Sequence, residues 1–270
     1  MIDANELVGT HDILLVTIDT LRYDVARDAL AARQTPRLAA ALPPGGWEER
    51  HSPGSFTYAA HHAFFAGFLP TPVARPKAPR PFALRFPGSE TTASTTCVLD
   101  APDLAAGLAG RGYHTACIGG VGFFNKQTPL GRVLPGLFAE SHWEPALGVT
   151  DPDSTAHQVD LAGAILDRVP ADRRLFLFLN VAAVHQPNRC YLPGAAEDSL
   201  ASHAAALAYV DGHLGRLFDR CRRRGPTFVI ACSDHGTAYG EDGHHGHRLA
   251  HPVVWTVPYA EFLLTPGVQP

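Results

Sequence analysis

Three short, nearly unbroken apolar runs constrain this chain more than any other feature. "DILLVTID" (12–19), "RLFLFLNVA" (174–182) and "TFVIACSDH" (227–235) have strand length and lack the polar alternation of a half-solvated sheet. Such runs belong in strands covered on both faces. Segments of helical character lie between them. "DLAAGLAGRGYHTACIGG" (103–120) reads as a helix ending near Gly112 followed by a strand through Cys117. Residues 199–224 place apolar side chains at helical spacing and end in a basic turn, "RCRRR", that suits a helix C-terminus. "VVWTVPYAEFLL" (253–264) is the last expected strand. Strands alternating with helices predict an α/β fold with a mostly parallel, doubly wound sheet. The stretch 42–98 departs from the pattern, being rich in Pro, Gly, Ser and Thr, and 70–90 within it is expected to be a long ordered loop. No repeat or linker interrupts the chain, so 1–270 reads as one domain.

A net charge of −4 gives no electrostatic case for nucleic acid or an anionic membrane surface. The N-terminus lacks the basic and apolar regions of a secretory signal, and no apolar run reaches membrane-spanning length. Five scattered cysteines without a CxxC pair read as reduced thiols, with Cys117 and Cys232 as small buried hydrophobes. A cytoplasmic location is the expectation.

In a parallel sheet, ligands bind beyond the carboxyl ends of the strands. The three apolar runs lead there into Asp19, into "VHQPN" with His185, and into Asp234-His235. "SDHGTAYGEDGHHGHRLAH" (233–251) concentrates five of the fifteen histidines: His235, His244, His245, His247 and His251. In "GSFTYAAHHAFFAGFLP" (54–70), Thr57 opens a helix that stops at Gly67. A hydroxyl in the positive end of a helix dipole favours an alkoxide and a bound anion. Threonine is a weak nucleophile, and a divalent cation is one of the few agents that activate it. Plainer roles stay open: Thr57 as a helix cap, Asp19 as a cap, and Asp234-His235 as a turn. His61 and His62 are adjacent on the helix, so at most one faces the site. Arg22 suits either a substrate anion or an ion pair with Asp24 or another acid.

These residues carry a resemblance. "ILLVTIDTLRYD" resembles the first strand and metal-binding Asp of the sulfatase branch of the alkaline phosphatase superfamily, and "TYAAHHAFFAGFLP" its nucleophile helix. "LAAGLAGRGYHTACIGG", "LFLFLNVAAVHQP" and "SDHGTAYGEDG" are similar to the units that follow in that branch, in the same order. The resemblance implies a three-layer sandwich without the C-terminal subdomain of larger members. It also implies a divalent metal on Asp19, Thr57, Asp234 and His235, Zn²⁺ or Mn²⁺ by donor type, with a second ion optional and no organic cofactor. The thirteen-residue spacing from Asp234 to His247 resembles the phosphoethanolamine transferases, in which a His there contacts the substrate phosphate. His247 is thus the first choice for the transferred group and for catalysis, with His245 second, His185 beside them and His61 as a further contact.

Departures narrow the implied chemistry. No Cys-x-Pro-x-Arg motif is present, so a formylglycine cannot form; the strand-end Gly-Lys of the branch is Gly119-Gly120, and Thr20 replaces the second N-terminal acid. The resemblance implies a metal-dependent hydrolase or transferase of phosphoryl esters acting through Thr57 on a small anionic substrate. A sulfatase or phosphonate-ester hydrolase at the same site is the runner-up. A noncatalytic metal- and anion-binding relative serving in a biosynthetic complex is the alternative outside enzymes. Homo-oligomerisation is compatible with a pocket left open by the missing subdomain.

Overall fold

The computed structural model describes residues 2–67, 82–84 and 94–267. One seven-stranded sheet is built from β1 (Asp12–Ile18), β2 (Glu48–His51), β3 (His114–Ile118), β4 (Glu140–His142), β5 (Leu175–Val181), β6 (Thr227–Cys232) and β7 (Thr256–Leu264). Their spatial order is β2-β7-β6-β1-β5-β3-β4. The strands from β6 to β4 run parallel, whereas β7 is antiparallel to both β6 and β2.

The three apolar runs are the three central strands. Every residue of β1 and β5 is buried, which is why neither shows polar alternation. The pleat still sorts their side chains: Leu14, Val16 and Ile18 enter one core and Ile13 and Leu15 the other. The main helices are α1 (Tyr23–Ala31), α2 (Pro36–Ala41), α3 (Thr57–Ala66), α4 (Leu104–Gly110), α5 (Ser154–Arg168) and α6 (Leu200–Arg224). Ala26, Leu38, Ile165 and Leu214 bring α1, α2, α5 and α6 onto the first face, while Phe65 and Leu108 bring α3 and α4 onto the second. The result is a three-layer α/β sandwich.

Local signals set the ends of these elements. Ser199 and Ser202 close a reciprocal capping box at the start of α6. At its other end the Arg224 guanidinium pairs with Asp12 at 2.8 Å and donates to the carbonyls of Leu166, Pro170 and Arg173. The last strand starts later than the expected 253: Pro252–Trp255 form a short helix whose Val253 N–H is capped by the His251 side chain, and β7 begins at Thr256. The loop expected at 70–90 lies outside the described residues, except Phe82–Leu84, which pairs in parallel with Cys97–Leu99. All five cysteines are free. Among the described residues, no helix is long and apolar enough to cross a membrane.

Candidate active site

Parallel pairing aligns Thr17 of β1 with Cys232 of β6. Two residues further along each strand stand Asp19 and Asp234, so the register delivers both carboxylates to the same edge. The Asp19 N–H donates to the Val181 carbonyl at 3.0 Å, holding the end of β1 against β5. Asp234 Oδ1 accepts the backbone N–H groups of Thr20 (3.3 Å) and His235 (3.0 Å). Ser52 donates to the Asp234 carbonyl, tying the turn to the segment that leads into α3.

Asp19, Asp234 and His235 are completely buried, and one donor atom from each lies within 4.8 Å of the others. The polar valences at this spot are half used. Asp19 Oδ2 accepts from Asn180 Nδ2 at 3.1 Å, and Asp234 Oδ1 is taken by backbone. Asp19 Oδ1 and Asp234 Oδ2 have no partner among the described residues. His235 Nδ1 donates to the Gly236 carbonyl at 2.8 Å, which leaves the lone pair on Nε2, 3.5 Å from Asp234 Oδ2 and 3.8 Å from Asp19 Oδ1. Burial, with the neighbouring Asp234 charge, raises the Asp19 pKa to about 6. Burial raises that of Asp234 to about 7, against its two backbone donors. Two buried acids that keep an open oxygen each, facing a free imidazole nitrogen, fit a divalent cation.

Thr57 is the first residue of α3. The N-cap position is Phe56, which gives no side-chain cap, and the Thr57 hydroxyl turns to Asp19 and His235. Its Oγ1 stands 3.4 Å from Asp19 Oδ2 and 3.4 Å from His235 Nε2. The helix ends where the sequence indicates, at Gly67 with φ 79°.

His61 comes to lie behind the site and not in the pocket. Its Nδ1 donates to the Thr57 carbonyl at 2.7 Å, its Nε2 faces Thr17 Oγ1 at 3.0 Å, and the rings of Phe64, Phe124 and Phe178 stand edge-on to it. Burial lowers its pKa to about 3, so it is a neutral packing and orienting residue. With both nitrogens engaged it has no donor for a substrate, which corrects the expected contact.

His185 and His247 line a cavity of about 300 Å³ together with Thr57, Val121, Phe123 and Arg248. The His247 ring is 4.5 Å from that of His235 and 5.6 Å from that of His185. Burial, reinforced by His235, His185 and Arg248, lowers its pKa to about 3. His245 lies exposed on the hairpin that pairs His245–Gly246 with Ala238–Tyr239. His244 is exposed too, and His251 bonds Asp242 at 3.0 Å. Of the histidines in 244–251, the geometry therefore brings His247 to the pocket.

Three participants carried too little signal in the sequence. Asn180 is the polar residue inside the β5 run: it donates to Asp19 and Thr17, and its Oδ1 accepts the N–H groups of Gly120 and Val121. A buried Asn in an otherwise apolar strand was the one available hint. Arg22, whose role was open, is buried and bound to Asp24 (2.6 Å) and Glu241, so it joins the β1 edge to the histidine-rich loop. Arg248 had no signal beyond its place in that loop. At Gly120, where the sulfatase branch has lysine, a Cβ would come within 2.4 Å of the Asn180 carbonyl. The turn has no room for a side chain at this position.

The family model described as Sulfatase matches residues 11–259. No curated protein gives a significant sequence match. Among solved structures, the soluble domain of lipooligosaccharide phosphoethanolamine transferase A from Neisseria meningitidis is 15% identical, with a TM-score of 0.65 over 95% of this chain and 78% of that one. The C-terminal periplasmic domain of phosphoethanolamine transferase EptC from Campylobacter jejuni is 14% identical, with a TM-score of 0.61 over 96% and 81%. The lipoteichoic acid synthase LtaP from Listeria monocytogenes is 14% identical, with a TM-score of 0.64 over 97% and 67%. At these identities the structural likeness establishes the fold. The family match spans nearly the whole chain and includes every residue assembled at the strand ends: the chain belongs to the Sulfatase family.

Proposed function

We propose that this chain is a metal-dependent hydrolase or transferase of small phosphoryl esters in which Thr57 is the nucleophile. The position of Thr57 Oγ1 carries the reading: it is 3.4 Å from both Asp19 Oδ2 and His235 Nε2 and borders the pocket shared by His185 and His247. Asp19, Asp234, His235 and Thr57 would hold a divalent cation, which when bound would lower the pKa of the hydroxyl and stabilise charge on the transferred group. Three oxygen donors and one imidazole suit Zn²⁺ or Mn²⁺.

The protein's own residues account for orientation and proton placement. Asp19 Oδ2 accepts the Thr57 hydroxyl hydrogen, leaving oxygen lone pairs for the phosphorus. The first turn of α3 directs its positive dipole end at the same place. His247, neutral at pH 7, offers a ring N–H as a donor to a phosphoryl oxygen, and an arriving dianion favours its protonation. In-line attack forms the Thr57 Oγ–P bond and breaks the bond to the leaving-group oxygen. Water or an acceptor hydroxyl then displaces Thr57 and restores it. The glycine pair Gly119-Gly120, where the branch carries a lysine, leaves no cationic side chain on this turn and favours phosphoryl over sulfuryl chemistry.

The test combines elemental analysis with turnover of p-nitrophenyl phosphate and p-nitrophenyl sulfate, metal being restored after chelation. Phosphate ester turnover, a phosphoryl adduct on Thr57 in quenched samples, and a loss of about a thousandfold in Thr57→Ala are expected. Full turnover and full metal content in Thr57→Ala would remove the proposed nucleophile. Stoichiometric metal without turnover of either ester would favour the noncatalytic binding reading.

A further inference from the structure

The pocket beside Thr57 has a cationic wall that the reaction just described does not use. Arg248, one residue past His247, lines the cavity with Phe123, Asn125, Thr128 and Leu130. It is the only Lys or Arg among the described residues that line this cavity, and no Asp or Glu lines it. The nearby Lys126 is committed elsewhere, its ammonium donating to the Ser141 carbonyl at 2.9 Å. The Arg248 guanidinium sits over the rings of Phe56 (5.2 Å) and Phe123 (5.8 Å) and makes no ion pair with a carboxylate among the described residues. Stacking of this kind fixes the plane of a guanidinium and leaves its edge donors free for an anion.

The backbone holds this placement. Arg248 has φ 69°, in the left-handed region that arginine rarely adopts, and its N–H donates to the Ser55 carbonyl at 2.8 Å. That bond ties Arg248 to the segment that leads into Thr57. Arg248 is exposed, and with its guanidinium plane fixed by two rings on an acid-free wall it presents its edge donors to an anion entering the cavity. Beside it, Phe123 and the 43% exposed Leu130 supply apolar surface to the same cavity.

We infer that Arg248 selects phosphoryl esters whose leaving group carries a second anionic group, a carboxylate or phosphate, next to an apolar part that rests on Phe123 and Leu130. Thr57 meets the first phosphorus, and Arg248 meets the charge beyond it. The inference rests on the phosphoryl-ester reading for its substrate class, and on the pocket alone for its anion.

The experiment reads a ratio. With the metal-loaded protein, kcat/KM is measured for 3-carboxyphenyl phosphate and for phenyl phosphate, and Kd for pyrophosphate and for inorganic phosphate. Arg248→Asn tests the charge, because asparagine tolerates the left-handed backbone. Arg248→Lys restores charge without the planar fork. Lys126→Gln removes a neighbouring charge that does not line the cavity. In Arg248→Asn both ratios are expected to fall about tenfold, the size of one charge-assisted hydrogen bond. Arg248→Lys should recover part of the loss and Lys126→Gln none of it. Unchanged ratios, or equal losses for both members of each pair, would overturn the inference by placing Arg248 outside substrate binding or on the transferred group. Absence of turnover with an intact pyrophosphate preference lost in Arg248→Asn would reject the hydrolase reading and leave the anion subsite standing.

Discussion

Asp19 and Asp234 reach the same point from opposite ends of the chain, both fully buried, each with one carboxylate oxygen that no described residue satisfies. Parallel pairing of β1 with β6 makes them neighbours, and their burial makes them costly unless a cation compensates. The first prediction concerns that compensation. Asp234→Asn should lose retained metal and, in chelator, melt about 5 °C above wild type, because one of two repelling buried charges is gone. Elemental analysis and thermal melts check this; a variant that keeps its metal and melts lower would refute a cation site.

The same pair predicts a pH dependence. Their folded pKa values, about 6 for Asp19 and about 7 for Asp234, lie above the ordinary 3.8. The protonated forms are therefore favoured in the fold. Their contribution to the stability of the metal-free protein is complete below the ordinary value and is lost as pH rises through 6 and 7. His61, His203 and His247 act oppositely. Their pKa values are lowered to about 3 by burial, so their contribution is lost as pH falls below about 6.5. The difference between wild type and Asp234→Asn isolates the acids: in chelator, the melting advantage of the variant should grow from pH 5 to pH 8. A constant difference would place the Asp234 titration elsewhere.

Asn180 links the acid site to the Gly120 turn through two donors and two acceptances. Asn180→Ala should weaken metal affinity or turnover by about 10- to 100-fold, the usual effect of removing a partner that orients a metal-binding carboxylate. Competition with a chromogenic chelator measures the first and steady-state kinetics the second. Wild-type values in both would make Asn180 a packing residue only.

Gly120 packs against the end of β5, where a side chain has no space. Gly120→Lys brings a Cβ within 2.4 Å of the Asn180 carbonyl and 2.8 Å of the Ala182 methyl. The variant should lose about 2–3 kcal/mol of stability and gain no p-nitrophenyl sulfate turnover. Urea melts and the sulfate assay test it; a stable variant with sulfatase activity would show that the turn yields.

How much of this was legible beforehand follows from the kind of information each feature carries. The continuous apolar runs determined the central strands, because burial on both faces removes polar alternation from the sequence itself. The ends of those runs marked Asp19 and the Asp234-His235 pair as candidates, and Gly67 marked the end of α3. Tertiary structure decided what lies between: the β1–β6 register that superposes two acids, the turn of the histidine-rich loop that brings His247 forward and leaves His245 in solvent, and the burial of His61 among aromatic rings. Arg22, Asn180 and Arg248 gained their places only there. A side chain's partners depend on distances that folding creates between residues far apart in the chain, whereas the periodicity of burial is written locally, residue by residue.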